Sequence, residues 1–476
     1  MKQRTRNMSP DALLPMYEKL GYLSGATGVG IFQAIFGTFM LVYYTNVAHV
    51  NPGMAATVIA ISRIFDGISD LVMGRLVDKT KSKYGKARPW FVRMIIPAFI
   101  CTVLAFWQPA GIQGTMQMIY MFLTYNLAVT ICNTAIAVPE QSMISYATLN
   151  AKSRSSLGGM HMLGVNVIVA LVITSNFLKI STALGGGDPY TQKGFTSTIV
   201  ICMILYAILS LICFFVMRER VSNVAVEEDS EKDTDIPVSK VVKSLFTNKY
   251  WLICTGITIL VYILMGATSG TTVYYAEHVA GNLELQGSIT TIYTLTMLAA
   301  LVLTIAFIIG KLGKRNTIIL GMMIAVIGYF LPILTHTPMM LHVGGALRGI
   351  GFGISSVPVG SILQDSLTYG LWRDGFSAVG MGNAAASFGN KLGTALGTAV
   401  LGWVLQFGGF VSDAAVQTAS ALTSITFMFA TFPSILCVLI LVLAFLYDLD
   451  GVKYTNIEKA IKSGNFGKNR DESITK

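Results

Sequence analysis

About twelve runs of roughly twenty predominantly apolar residues follow one another along the chain, each long enough, as a helix, to cross a bilayer core of about 30 Å. They begin near Gly21, Ala55, Trp90, Gln117, Gly158, Thr196, Trp251, Ser288, Asn316, Met340, Gly375 and Ala421, and together they take up well over half of the 476 residues. Only 12% of residues are charged and 53% are hydrophobic. Soluble globular chains carry about 25% charged residues, so a soluble enzyme is excluded. The expected fold class is all-α integral membrane, with twelve transmembrane helices. The first run follows a polar, basic leader without a small-residue cleavage site, which predicts a retained helix.

Lys and Arg gather in alternate connections. Lys2, Arg4, Arg6 and Lys19 precede the first run, and Arg75, Lys79, Lys81, Lys83, Lys86 and Arg88 follow the second. Lys152 and Arg154 follow the fourth, Arg218, Arg220, Lys240, Lys243 and Lys249 the sixth, and Lys311, Lys314 and Arg315 the eighth. By the positive-inside rule both termini are expected to be cytoplasmic, in a multi-pass protein of the cell membrane. The net charge of +10 is spread over these short connections and suits anionic lipid headgroups, with no nucleic-acid partner expected.

The longest polar stretch carries the acidic run Glu227, Glu228, Asp229, Glu231, Asp233 and Asp235 and divides the chain. The expected organisation is a leader over 1–20, a six-helix bundle over 21–217, a cytoplasmic linker over 218–249, a second six-helix bundle over 250–447 and a cytoplasmic tail over 448–476. Gly74-Arg75-Leu76-Val77-Asp78-Lys79 after the second run echoes Gly310-Lys311-Leu312-Gly313-Lys314-Arg315 after the eighth. A glycine-basic tight turn at the same place in both halves predicts a parallel six-helix repeat, the arrangement of major facilitator transporters.

A charge near the bilayer centre costs at least about 2.5 kcal/mol, so each one needs a reason. The second run holds Arg63, Asp66 and Asp70, whose spacing of three and four residues puts all three on one helical face. Two carboxylates one turn apart repel, and a bound cation relieves that repulsion. Sodium and lithium prefer oxygen ligands, which Ser69 and Thr134 can add, whereas a proton needs only a carboxylate. The competing structural reading has Arg63 neutralising Asp66 while Asp70 packs through a hydrogen bond. Lys391 is the other isolated charge, flanked by Gly389, Gly393 and Gly397 at four-residue steps that admit a close neighbouring helix. It is read either as a partner for Asp66 or Asp70, linking ion occupancy to opening, or as a lysine snorkelling to the interface. Asp365 is expected to end the tenth helix, before the connection Tyr369 to Gly375, and joins Arg63 and Lys391 as a coupling or gating candidate.

The six cysteines show no CxxC spacing and the five histidines no metal-ligand spacing, so no metal is expected beyond the coupling cation, and no cofactor. Neither an HExxH motif nor a Gly-x-Ser-x-Gly elbow is present, against a membrane enzyme.

Three stretches resemble a known family: Tyr43-Tyr44-Thr45-Asn46, Arg63-Ile64-Phe65-Asp66-Gly67-Ile68-Ser69-Asp70 through Gly74, and Lys83-Tyr84-Gly85-Lys86-Ala87-Arg88-Pro89-Trp90. Together with Ser244 to Lys249, Asp365, Tyr369-Gly370 and Lys391-Leu392-Gly393, they resemble the glycoside-pentoside-hexuronide:cation symporters, the melibiose-carrier-like group of the major facilitator superfamily. The resemblance implies uptake of a sugar coupled to Na⁺, Li⁺ or H⁺ by alternating access, in a chain functional as a monomer. It places the cation site on Asp66, Ser69, Asp70 and Thr134 and the eleventh-helix lysine on Lys391.

The sugar site departs from that pattern. Galactoside carriers of the family hold their substrate with aspartates in the first and fourth helices, where matched flanks put Gly30 and Ala137 here. Their fifth-helix arginine falls near His161 or Met162, and their tenth-helix tryptophan near Ser356. Polar groups near these places include Asn133, Glu140 and Asn166; Gln33, Gln141, His161 and Lys391 are the substrate-binding candidates. The altered site also admits a non-sugar or amphipathic, lipid-like solute.

Overall fold

The computed structural model describes residues 13–109, 111–221, 237–335, 337–412, 414, 416–449 and 451–467. Most of the leader, the acidic run of the linker and the end of the tail lie outside the described residues. Among those described the chain is helical, with no strand. Among the described residues eight helices are long and apolar enough to cross a membrane, of which one, Glu284–Leu334, is 51 residues long.

By contact the chain forms two compact units, Met1–Val226 with Gly402–Ala421, and Glu227–Leu401 with Leu422–Lys476. The first contains α1 (Met16–Val47), α2 (Pro52–Lys79), α3 (Ile95–Ala105), α4 (Thr115–Ala147), α5 (Lys152–Leu184) and α6 (Gln192–Val216). The long α2 starts where the Asn51 side chain accepts the Gly53 and Met54 amides and Pro52 supplies the first helical residue. Its charges keep it out of the set of eight. At Gly30, α1 lies so close to α5 that any Cβ would meet the Val165 backbone.

One end of this unit is tied by charge. Arg220 clasps Glu18 at 2.6 and 2.8 Å, both side chains largely buried. The neighbouring Glu219 carboxylate accepts the backbone amides of Lys86, Ala87 and Arg88 at 2.7, 2.9 and 2.8 Å. The Arg88 guanidinium donates to the Phe214 and Tyr84 carbonyls, and burial together with nearby Arg218 lowers its pKa to about 10.

The second unit contains α7 (Lys249–Val279), α8 (Glu284–Leu303), α9 (Ile309–Leu334), α10 (Pro338–Asp374), the first part of α11 (Val379–Phe407) and most of α12 (Ala419–Leu446). Its core gathers Tyr250, Ile257, Tyr329, Trp372, Tyr447 and Ile457, the last from a short C-terminal helix, Val452–Lys462.

Two local expectations are corrected. The tight turns of the two halves do not coincide: α2 runs helically through Gly74 to Lys79, and the left-handed glycine comes later, at Gly85 with φ 113°. In the second half the helix breaks within the echoed motif, at Gly313 with φ 75°. Asp365 does not end α10, which continues to Asp374 because Tyr369 and Trp372 still face the core; Gly375, with φ 78°, stops it. Asp365 instead pairs with Lys314, one residue beyond the Gly313 break.

Candidate functional site

The side chains singled out on the second apolar run meet α4. Thr134 Oγ1 donates to Asp70 Oδ1 at 3.2 Å and lies 3.0 Å from Ser69 Oγ, which itself bonds the Asp66 carbonyl at 2.9 Å. Since each hydroxyl has one proton, Ser69 spends its proton on either the Asp66 carbonyl or Thr134, and Thr134 on either Asp70 or Ser69. Asp66 is buried and pairs with Arg63, one turn before it, at 3.6 Å. Tyr125 of α4 stands beside the Arg63 guanidinium.

The turn that delivers Thr134 is unusual. Residues Asn126–Asn133 are wound with the wider i→i+5 pattern, which rotates the side chains that follow. Asn126 Nδ2 donates to Ser62 Oγ at 2.8 Å, and Thr130 donates to Asn126 Oδ1 at 3.0 Å. A ladder of Ser62–Asn126, then Ser69–Thr134–Asp70, therefore holds α2 to α4. Ser69 and Thr134 thus link the Asp66 backbone carbonyl to the Asp70 carboxylate, while the Asp66 carboxylate pairs with Arg63; oxygen groups of this kind suit a hard monovalent cation. No group of three or more His, Cys, Asp or Glu suited to a divalent metal occurs among the described residues. Ser62, Asn126 and Tyr125 escaped the sequence reading. Their signal was present in the four-residue steps from Ser62 to Asp66 to Asp70 and from Asn126 to Thr130 to Thr134.

The other candidates are dispersed. Gln33 of α1 and Gln141 of α4 are exposed, and His161 of α5 is partly buried. His161 Nδ1 lies 3.0 Å from Glu140 Oε1, so the imidazole is tied to a fully buried carboxylate. Lys391 belongs to the second unit, on α11, whose Gly389, Gly393 and Gly397 pack on α7. There Gly393 leaves a Cβ no room against the Ile259 carbonyl, nor Gly397 against that of Ile263. The close neighbour expected from the glycine spacing is therefore α7. Position 30, where the resemblance leads one to expect a carboxylate in galactoside carriers, has no space for a side chain, because the α5 backbone occupies it.

The profile of a family described as MFS/sugar transport protein matches residues 21–451. The chain belongs to that family. It is a multi-pass membrane transporter, not an enzyme, and it falls among the glycoside-pentoside-hexuronide:cation symporters that its α2 signature resembles. Among curated relatives, it is 26% identical to the isoprimeverose transporter of Lactiplantibacillus pentosus over 425 residues, covering 88% of this chain and 86% of that one. It is 25% identical to the glucuronide carrier protein homolog of Escherichia coli (strain K12), covering 92% and 93%. Among solved structures, a nucleoside transporter matches with a TM-score of 0.62 at 14% identity, covering 90% of this chain and 99% of that one. That likeness concerns the fold alone.

Proposed function

We propose that this protein takes up a sugar, of the glycoside, pentoside or hexuronide class, together with Na⁺, Li⁺ or H⁺. The observation that carries the proposal is the joined oxygen cluster of Asp66, Ser69, Asp70 and Thr134. Two carboxylates one turn apart on a membrane helix repel each other more strongly as water is withdrawn, and a monovalent cation between them relieves that repulsion. The hydroxyl chain fixes Asp70 from the α4 side, so the site is ordered before the ion arrives. Relatives with sugar-transporter names support the substrate class, and Gln33, Gln141, His161 and Lys391 are the groups proposed to meet substrate hydroxyls. The filled space at Gly30 argues that this substrate is not held as galactosides are.

In the same proposal twelve helices cross the cell membrane with both termini cytoplasmic, the two units alternate access as a monomer, and Arg63, Asp365 and Lys391 serve coupling. Thermal unfolding of the purified protein tests the proposal, read with Na⁺, Li⁺ or neither against a panel of glycosides, pentosides and hexuronides. A ligand at 100 times its Kd stabilises the folded state by about 2.7 kcal/mol. A sugar response that needs the cation and disappears in Asp70→Asn supports symport; a cation response without any sugar response moves the substrate to non-sugars.

A further inference from the structure

Glu140 is fully buried on α4, and its side chain has one bonded and one unbonded oxygen. Oε1 meets His161 Nδ1 at 3.0 Å, while Oε2 is buried with no hydrogen-bond partner. The other ionisable groups facing this carboxylate are Tyr22 of α1, whose hydroxyl donates to the Glu140 backbone carbonyl at 3.4 Å, and Cys213 of α6. Both are neutral in their ordinary forms. The basic groups nearby are committed elsewhere: Arg88, which faces Cys213, to the Tyr84 and Phe214 carbonyls, and Arg220 to Glu18. Among the described residues His161 is the sole basic side chain within ion-pair distance of Glu140.

We propose that Glu140 and His161 together form a proton-binding site inside the first unit, separate from the cation site at Asp66 and Asp70. Without a proton the pair is a carboxylate and a neutral imidazole, a net negative charge whose Oε2 is buried and unbonded. One proton removes that charge, either as carboxylic acid beside imidazole or as carboxylate beside imidazolium. The closed unit therefore holds one proton on the pair. Release requires a new donor at Oε2, such as water admitted as the unit opens, which replaces the interaction that the proton supplied. The exit lies through His161, which keeps 21% of its side chain exposed while Glu140 keeps none. No bond other than those to the proton changes, and the proton passes between the pair and water. The site adds a proton to whatever ion Asp66 and Asp70 carry, so cation binding and pH become linked variables.

The test is an infrared pH titration of the purified full-length protein in detergent between about pH 5 and 9, the range in which an imidazole ordinarily changes charge. Na⁺-induced thermal stabilisation is read on the same samples. The expected result is a one-proton step with both carboxyl and imidazole bands. In Glu140→Gln its carboxyl band vanishes and the remaining imidazole step moves to lower pH, in His161→Asn its imidazole band vanishes and its midpoint shifts by more than one pH unit, and it persists in Asp66→Asn and Asp70→Asn. If Glu140→Gln does not fold, Glu140→Asp is used, and the carboxyl band must move. An unchanged step in the Glu140 variants, or loss of the step in Asp70→Asn, overturns the proposal. Loss of the Na⁺ response alone in Asp70→Asn speaks only to the cation site, so the two ideas fail separately.

Discussion

Thr134 joins two helices through one hydroxyl, which makes it the sharpest single-residue probe of the cation patch. Thr134→Ala removes one oxygen ligand and the bond that aims Asp70. The expected result is Na⁺ binding about tenfold weaker, or about 1.4 kcal/mol, read as the Na⁺ concentration dependence of thermal stabilisation, with recovery in Thr134→Ser. If Thr134 only packs, alanine will shift the melting temperature equally with and without Na⁺. Outside the membrane, Asp448 offers a pH test. Partial burial pushes its carboxyl up, but hydrogen bonds from Lys453 and Tyr250 and the charge of Lys249 outweigh that and hold it down to about 2. Its stabilising contribution is therefore present above the ordinary carboxylate pKa of about 3.9 and lost as pH falls toward 2. Because the group is 41% exposed, the effect is under about 1 kcal/mol. Asp448→Asn should flatten the acid limb of the stability profile below about pH 4 and leave neutral stability nearly unchanged. The Asp66–Asp70 pair was legible in the sequence because a charge inside an apolar run is costly and thus conspicuous. The bond between Glu140 and His161 was not, since twenty-one residues separate them and only the packing of α4 on α5 brings them together.

Among the elements, α7 and α11 meet through glycine. Position 397 has no space for a side chain, so Gly397→Val should force the helices apart and cost about 1 to 3 kcal/mol, seen as a lower melting temperature in detergent. The same change at Gly360, where nothing lies within 4 Å, should be nearly neutral. Removing the Glu18 carboxylate leaves Arg220 buried without its partner, and Glu18→Gln should destabilise the first unit by about 3 to 5 kcal/mol, measured by thermal unfolding. Four-residue glycine spacing announced the close approach at α11, but not that α7 is the neighbour, because spacing describes one helix at a time. The end of α10 was misplaced for a related reason: Asp365 resembles a helix terminus in isolation, yet Lys314 compensates its charge and the helix continues past it.

For the whole molecule, the apolar runs announced an all-helical membrane transporter. Composition could not reveal that Gly402–Ala421 belongs with the first unit, where the Trp403 indole donates to Thr57 Oγ1 at 3.0 Å. Nor could it identify the substrate, which depends on where a few exposed polar groups converge. The central claim is that movement of sugar is tied to an ion at Asp66 and Asp70. The most direct test is uptake into proteoliposomes of radiolabelled glycosides, pentosides and hexuronides, with an inward Na⁺, Li⁺ or H⁺ gradient. Accumulation of at least one of these sugars above equilibrium is predicted to require one of the gradients, and Asp70→Asn to abolish accumulation. Accumulation by Asp70→Asn that still follows the cation gradient would contradict the account.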